Sequence, residues 1–379
     1  MMKIAIIAGE ASGDNLGAKL MHALKEQTTD SIEFIGIGGP KMIRQGFTSL
    51  FDMHHLSLMG FAEIVPHIPK LLGYINQTVS FLLEQQPDIL ITIDSPGFTT
   101  AVAKKLRKAN CTFTLVHYVA PTVWAYKPRR AKKFAKLFDH LMVLFPFEPP
   151  YFEKEGLTTT FVGHPLFEDD LPPAAPEFLD QHHIPNNATI LLAMPGSRVN
   201  EINRHMPIYK ETFHALKASI PTLHVMIPTF EHLQNTISGH IDTSLDYIHI
   251  TTNKEQAIAH AHAGLIKSGT SSLEVAKNNI PMVVAYKVSY VSYLIIKQLV
   301  KVKYASIVNI VANKEIIPEF LQYDCTSDNL ANALTPLLTD EQAQNSQRQA
   351  LRATLDTLKT KQLPSTEAAS TILRLIDTK

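Results

Sequence analysis

The sequence predicts an α/β protein of two Rossmann-like domains, each built on a parallel sheet, facing a central cleft. Three observations carry this. Short β-branched and aliphatic runs alternate with helical periods, a proline-dense break interrupts the alternation near the middle, and the same alternation then restarts. At 379 residues the chain exceeds what one hydrophobic core usually serves.

In the first half, KIAIIAG, IEFIGIG, DILITID, TFTLVHYV and HLMVLF are bounded by Gly, Pro or Asp. They are apolar at nearly every position, as strands covered by helices on both faces must be. Helical spacing follows in Leu16, Leu20 and Leu24, and again in Val102, Ala103 and Leu106. Residues 1–167 are read as the first domain. Pro172, Pro173, Pro176 and Pro185, with the acidic run Glu168-Asp169-Asp170, mark 168–186 as a linker. TILLAMPG, LHVMIP, YIHIT, GLIKSG, PMVVAY and SIVNIV resume the pattern and give a second domain over 187–350. Residues 351–379 read as a helical tail, and whether they pack back on the first domain stays open.

Composition narrows the function classes. Lys plus Arg and Asp plus Glu are both 35, so no global field favours nucleic acid. The two cysteines, Cys111 and Cys325, form no CxxC pair, which argues against a disulfide scaffold or a zinc site and fits a reducing compartment. The 17 histidines include no HExxH or comparable ligand spacing. The N-terminus reads as a first strand, not a signal peptide. No apolar stretch approaches the roughly 18–20 residues that span a bilayer.

Four loops directly after strands are the candidate sites, because open α/β sheets bind ligands there. Gly9, Glu10, Ser12 and Gly13 in GEASGD suit an anion or a hydroxyl-rich group at a helix start; Ser12 or Asp14 as a helix cap explains the same residues. Asp94, before Ser95-Pro96-Gly97, ends a buried strand where a general base would stand, or else it caps the next helix. Gly196, Ser197 and Arg198 with Glu201 offer bare backbone and a guanidinium to phosphate, against a plain surface ion pair from Arg198 to Glu201. Ser268, Gly269, Thr270, Ser271 and Ser272 with Glu274 suit a diphosphate and ribose, and equally a capping box. A fifth feature is apolar helical spacing at Val65, Ile68, Leu71, Leu72 and Ile75, read as an exposed helix around 61–75. Six basic residues follow between Lys127 and Lys136. Together they are the two-part recipe for adhesion to anionic lipid, though a core-facing helix and a solvated basic helix fit each piece alone.

With these residues in view, the chain resembles the lipid-A-disaccharide synthase family along nearly its whole length. The matching segments are AGEASGD, GIGGPKM, LMGFAEI, IDSPGF, HYVAPTVWAYKPRR, LFPFE, FVGHP, MPGSRVNEI and SGTSSLE. The resemblance implies an inverting glycosyltransferase of GT-B architecture, which joins UDP-2,3-diacylglucosamine to 2,3-diacylglucosamine 1-phosphate and releases UDP. It implies that Asp94 is the base, that Arg198 and Gly269–Ser272 hold the diphosphate, and that Glu274 holds the ribose. Asn309, in a YxSxxN segment, would line the nucleotide side. Trp124 and Arg130 would serve the acceptor, with Arg130 on its phosphate. Tyr126 and Lys267 depart from the family pattern. No metal or cofactor is expected, since no DxD follows a strand. Both substrates carry acyl chains, so the resemblance implies a cytoplasmic enzyme peripherally bound to the inner membrane, with a homodimer left open. A UDP-sugar 2-epimerase and a non-catalytic nucleotide-binding module are the alternative readings.

Overall fold

A computed structural model describes residues 1–57, 64–242, 245–289, 293 and 302–378. The chain forms two compact units. Residues Met1–Glu168 and Leu358–Lys379 make the first, and Asp169–Thr357 make the second.

The first unit holds the strands β1 (Met2–Ala8), β2 (Ile32–Ile37), β3 (Thr48–Ser49), β4 (Ile89–Ile93), β5 (Thr114–Tyr118), β6 (His140–Val143) and β7 (Thr158–Phe161). They form one parallel sheet in the order β3-β2-β1-β4-β5-β6-β7. Its helices are α1 (Ala11–Gln27), α2 (Pro40–Arg44), α3 (His54–Ser57), α4 (Ile64–Gln85), α5 (Pro96–Lys108), α6 (Arg130–Ala135) and α7 (Pro149–Glu153). Strand alternation explains the uniformly apolar runs. In β1, Ala5 and Ile7 join one core cluster while Ile4, Ile6 and Ala8 join the cluster on the opposite face. In β4, Leu90 goes to the first and Ile89, Ile91 and Ile93 to the second. Both faces are therefore covered, as such strands require.

The second unit contains α8 (Pro176–Gln181), α9 (Val199–Ser219), α10 (Gln234–Ser238), α11 (Lys254–Ala259), α12 (Ser271–Lys277), α13 (Ile307–Ala312), α14 (Ser327–Thr339) and α15 (Glu341–Asp356). Its strands are β8 (Thr189–Met194), β9 (Leu223–Pro228), β10 (Ile248–Thr251), β11 (Ala263–Lys267), β12 (Met282–Tyr286) and β13 (Glu319–Leu321), in the parallel order β10-β9-β8-β11-β12-β13. The proline-rich stretch 168–186 is anchored here from Asp169 onward. Gln256 accepts from Ala175 N–H at 2.8 Å and donates to the Pro173 carbonyl at 3.1 Å. The chain then re-enters the first unit through α16 (Pro364–Asp377), which packs on α1 and buries Ala368, Ala369 and Ile372 completely. Ser365 Oγ donates to Glu168 Oε2 at 3.0 Å and ties the start of α16 to the end of the unit's earlier chain.

Each sheet reverses its strand order once. In the first the reversal lies between β1 and β4, and in the second between β8 and β11. Chain connections leave such a point in opposite directions, and a crevice opens at the carboxyl ends of the two strands.

Candidate active site

At the β1/β4 reversal, Ala8 pairs with Ile93, so the loop after each strand emerges beside the other. They touch: a Cβ on Gly9 would lie 2.7 Å from Ser95 Oγ, which is closer than any real side chain stands. Gly9 and Gly13 are buried, while Glu10 and Ser12 are exposed. Glu10 occupies the N-cap position of α1 without a side-chain cap bond. Neither Ser12 nor Asp14 caps α1. Asp14 is buried and turns instead to the neighbouring loop, accepting from Gly39 N–H at 2.9 Å, Lys41 N–H at 2.9 Å and Met42 N–H at 3.0 Å. It caps α2, so GEASGD and GIGGPKM are two halves of one hydrogen-bonded contact.

Asp94 follows β4 with φ of 48°, and Ser95 with φ of 45°. Just after the next strand, β5, Val119 stands at 79°. A β-branched residue rarely adopts that conformation, and strain gathered at one sheet edge is typical of functional loops. Asp94 does not act as a cap: Ser95 holds the N-cap position of α5, and no side-chain cap bond forms there. Burial pushes the Asp94 carboxyl above its ordinary range, against the Ser95 N–H, which pulls it down.

Trp124 is half-buried and donates Nε1–H to Glu148 Oε1 at 3.1 Å. Its ring meets Phe147 edge-on at 5.4 Å. Glu148, 2% exposed, also accepts from Leu144 N–H and Phe145 N–H at 3.2 and 3.1 Å. Burial raises its carboxyl to about 7, although the Trp124 and backbone donors favour the charged form. Sequence reasoning assigned this Glu of LFPFE no role; its signal was an acid five residues beyond β6 inside an aromatic run. Arg130 opens α6 and is half-buried, whereas Lys127, Arg129, Lys132, Lys133 and Lys136 are exposed.

The apolar-helix reading needs correcting. Ile75 is 3% exposed and Leu71 packs against the core, so both face inward. Leu72 is 47% exposed and faces out. Residues 58–63 of LMGFAEI, which include the start of the expected 61–75 helix, lie outside the described residues, as do the side chains of Val65 and Ile68.

At the β8/β11 reversal a cavity of about 370 Å³ opens. Gly196, Ser197 and Glu201 line it from one loop, and Ser268, Gly269, Thr270 and Ser271 from the other. Gly196 has φ of 138°, and a Cβ there would meet Glu201 Cβ at 2.6 Å, so glycine is required. Glu201 is engaged by neighbours within the protein. Its carboxylate accepts from Ser197 N–H at 3.1 Å, pairs with Lys267 Nζ at 3.1 Å, and meets Arg198 at 3.4 Å. Burial alone would raise its carboxyl; the Lys267 hydrogen bond and charge, with Ser197 N–H and Arg198, bring it below the ordinary value. The Arg198–Glu201 surface pair is thus formed, but Arg198 is 79% exposed and held only weakly.

Glu274 makes no capping box. Thr270, at the N-cap of α12, has no side-chain cap bond, and Glu274 pairs with Lys254 Nζ at 2.7 Å. Lys254 itself lines the cavity. Ser272 is buried and donates to the Gly269 carbonyl at 2.8 Å, shaping the loop from beneath.

Asn309 does not reach the cavity. It is fully buried, donating to the Ile317 carbonyl and Glu319 and accepting from Ile316 N–H and Ile317 N–H. Glu319 in turn accepts from Ala305 N–H and Ser306 N–H, and the Ala305 carbonyl accepts from Ser268 Oγ at 2.7 Å. Asn309 therefore braces the glycine loop at second hand. Sequence reasoning missed the opposite wall, where Thr229, Phe230 and Thr252 stand. Phe230 is 60% exposed, a large ring displayed at a cavity rim. The sign in the sequence was an aromatic two residues after the strand LHVMIP.

A family model described as lipid-A-disaccharide synthetase matches residues 4–373. A lipid-A-disaccharide synthase from Rhodospirillum centenum is 43% identical over 349 residues, covering 91% of this chain and 87% of that protein. One from Granulibacter bethesdensis is 40% identical over 389 aligned residues, covering 98% of each. The chain belongs to the lipid-A-disaccharide synthetase family. Membership places it among the glycosyltransferases of lipid A disaccharide synthesis. Among solved structures it is similar to an S. aureus MnaA–UDP co-structure, with a TM-score of 0.68 at 15% identity, covering 100% of this chain and 96% of that one. It is also similar to a UDP-GlcNAc 2-epimerase from Neisseria meningitidis bound to UDP-GlcNAc, with a TM-score of 0.63 at 12% identity and full coverage (100%) of both. The glycotransferase of kitacinnamycin gives 0.61 at 15% identity and 98% coverage of both chains. At these identities the likeness is one of fold: two Rossmann-like domains of the GT-B class. The epimerase alternative therefore has structural likeness behind it, and the synthetase reading has the sequence.

Proposed function

We propose that this chain joins a UDP-linked diacylglucosamine to a diacylglucosamine 1-phosphate, forming the lipid A disaccharide 1-phosphate and UDP. The observation that carries the mechanism is Asp94: a carboxylate held in a left-handed turn at the β1/β4 reversal, with its pKa raised by burial. A carboxylate so placed can take the proton of the acceptor's attacking hydroxyl as that oxygen bonds to the anomeric carbon. The bond from that carbon to the diphosphate breaks, and the electron pair leaves with UDP. Gly9, Glu10, Ser12 and Gly13 lie on the loop and helix start after β1, where Gly9 abuts Ser95, and suit the sugar hydroxyls.

In the second unit the cavity takes the nucleotide. Ser197 and the Ser268–Ser271 loop offer backbone and hydroxyl donors to the diphosphate, and Arg198 offers an exposed guanidinium. Glu274 takes the ribose, held in place by Lys254. Phe230 offers an exposed ring for the base to stack on. Trp124 and Arg130 serve the acceptor, with Arg130 supplying charge for its phosphate.

Both substrates are acylated, and peripheral attachment to a membrane surface is part of the same reading. The exposed lysines and Arg129 around α6, with Leu72 on α4, support it. Among the described residues no helix is long and apolar enough to cross a membrane.

The test is release of UDP that requires both diacyl substrates, measured for the full chain and for Asp94→Asn. UDP binding should persist in the variant while turnover falls roughly 10²–10⁴-fold. Near-normal turnover removes Asp94 from the mechanism, and 2-epimer formation from UDP-N-acetylglucosamine would favour the epimerase instead.

A further inference from the structure

Two cations line the cavity, Lys254 and Lys267, and a third, Arg198, follows the lining residue Ser197; the three are in different states. Arg198 has a side chain that is 79% exposed. Lys254 is 47% exposed, with its Nζ on Glu274 at 2.7 Å. Lys267 is only 20% exposed, at the last position of β11 and directly before the Ser268–Ser271 loop. Its Nζ lies 3.9 Å from where a Cβ on Gly269 would be and 5.4 Å from the Tyr286 ring centroid. The ammonium is thus set against bare loop backbone, with an aromatic face fixing its direction.

We propose that Lys267 is a diphosphate contact of this cavity, with Glu201 as the internal carboxylate that holds its ammonium while no diphosphate is bound. The inference rests on the nucleotide reading of the cavity and adds to it the least exposed of its cations. Glu201 collects Ser197 N–H, Arg198 and Lys267, and these are the kinds of donor that a phosphate oxygen takes. The carboxylate stands in for the anion. It keeps the low-exposure ammonium paired, which a partly buried charge requires, and it leaves that ammonium beside the glycine loop. A diphosphate arriving at the loop presents more oxygens and more charge than one carboxylate, and Lys267 turns to it. A charge at 20% exposure is screened far less than one at 79%, so Lys267 outweighs Arg198 in the bound state.

The experiment is a titration of the full-length protein with UDP by calorimetry and with uridine by ligand-observed NMR. Lys267→Met keeps the apolar stem over Tyr286 and removes the charge, Lys267→Gln is a second charge-removing variant, and Lys267→Arg restores charge. Loss of the charge should weaken UDP roughly 10- to 100-fold and leave uridine within about twofold, with Lys267→Arg recovering most of the difference. Added salt should weaken UDP binding more steeply in the unsubstituted protein than in Lys267→Met or Lys267→Gln. Unchanged UDP affinity in both charge-removing variants overturns the proposal while the nucleotide reading survives. An equal loss for UDP and uridine also overturns it, since that makes Lys267 a structural part of the wall. A protein that binds no UDP before any substitution fails at the nucleotide reading itself, a result the variants cannot mimic.

Discussion

Two carboxylates in the first unit show how burial and partners divide the work at the level of single residues. Asp94 is raised above its ordinary value of 3.8 mainly by burial, and to act as the proposed base it must be ionised. The acidic limb of kcat/KM should therefore lie above pH 3.8, and a limb at or below that value would mean another group takes the proton. Glu148 is the stronger case, raised by burial from 4.5 to about 7. Its folded form holds the proton more tightly than the unfolded chain does. The stabilisation this brings is complete below pH 4.5 and is lost as pH rises through about 7. Glu148→Gln should flatten the melting temperature between those limits. The chain has one tryptophan, and it is the residue bonded to Glu148. Trp124 emission should therefore titrate with a midpoint near 7 and lose that transition in Glu148→Gln. A flat emission profile in the unsubstituted protein would show that Glu148 does not ionise there.

Among the elements, α2 has five residues and owes its start to Asp14, which lies 25 residues before the first donor it serves. Removing the carboxylate with Asp14→Ala leaves three N–H groups without that acceptor, two of them in bonds that are buried. A cost of about 2–3 kcal/mol is expected, read as a lower denaturant midpoint with unchanged slope. This contact also shows where sequence reasoning stops. Most strands of both sheets were legible because a central strand covered on two faces is apolar at nearly every position, and the loops were legible because each follows such a strand; the same rule misread SIVNIV, which forms α13, and passed over the short, polar edge strands β3, β7 and β13. The partner of Asp14 was not legible, because a carboxylate in the first turn of α1 looks the same whether it caps α1 or α2. Asn309 misled for a related reason: an amide in a motif reads as a ligand group until its bonds to the 316–317 backbone and Glu319 are visible. Helix α4 failed by angle, since spacing marks an apolar face without saying what covers it. Packing assigns Ile75 to the core, and Leu72 remains for a surface role. Leu72→Ser, combined with Glu at Lys132 and Lys133, should reduce sedimentation with anionic vesicles while leaving the fold intact. Unchanged sedimentation would remove this face from the membrane reading.

For the whole molecule, sequence order and structural order part company at the C-terminus. Residues 358–379 follow the second unit along the chain but pack with the first. Helix α16 lies on α1 and shares a core cluster with Leu20, Met21 and Leu24, so the first unit's sheet is covered on that face partly by the end of the chain. The two units then differ in what a C-terminal deletion does to them. Ending the chain after Thr357 leaves every residue of the second unit in place and strips Ala368, Ala369 and Ile372 from the first. Ile372→Ala alone should cost about 2–5 kcal/mol, because the site is closed on all sides. Loss of the whole helix should lower the first unit's melting temperature by roughly 5–15 °C. The single tryptophan lies in the first unit and circular dichroism reports both, so the effect can be located. Trp124 emission should melt early in the truncated chain while a second dichroism transition stays where it was. A shift of both transitions together would mean that the two units unfold as one.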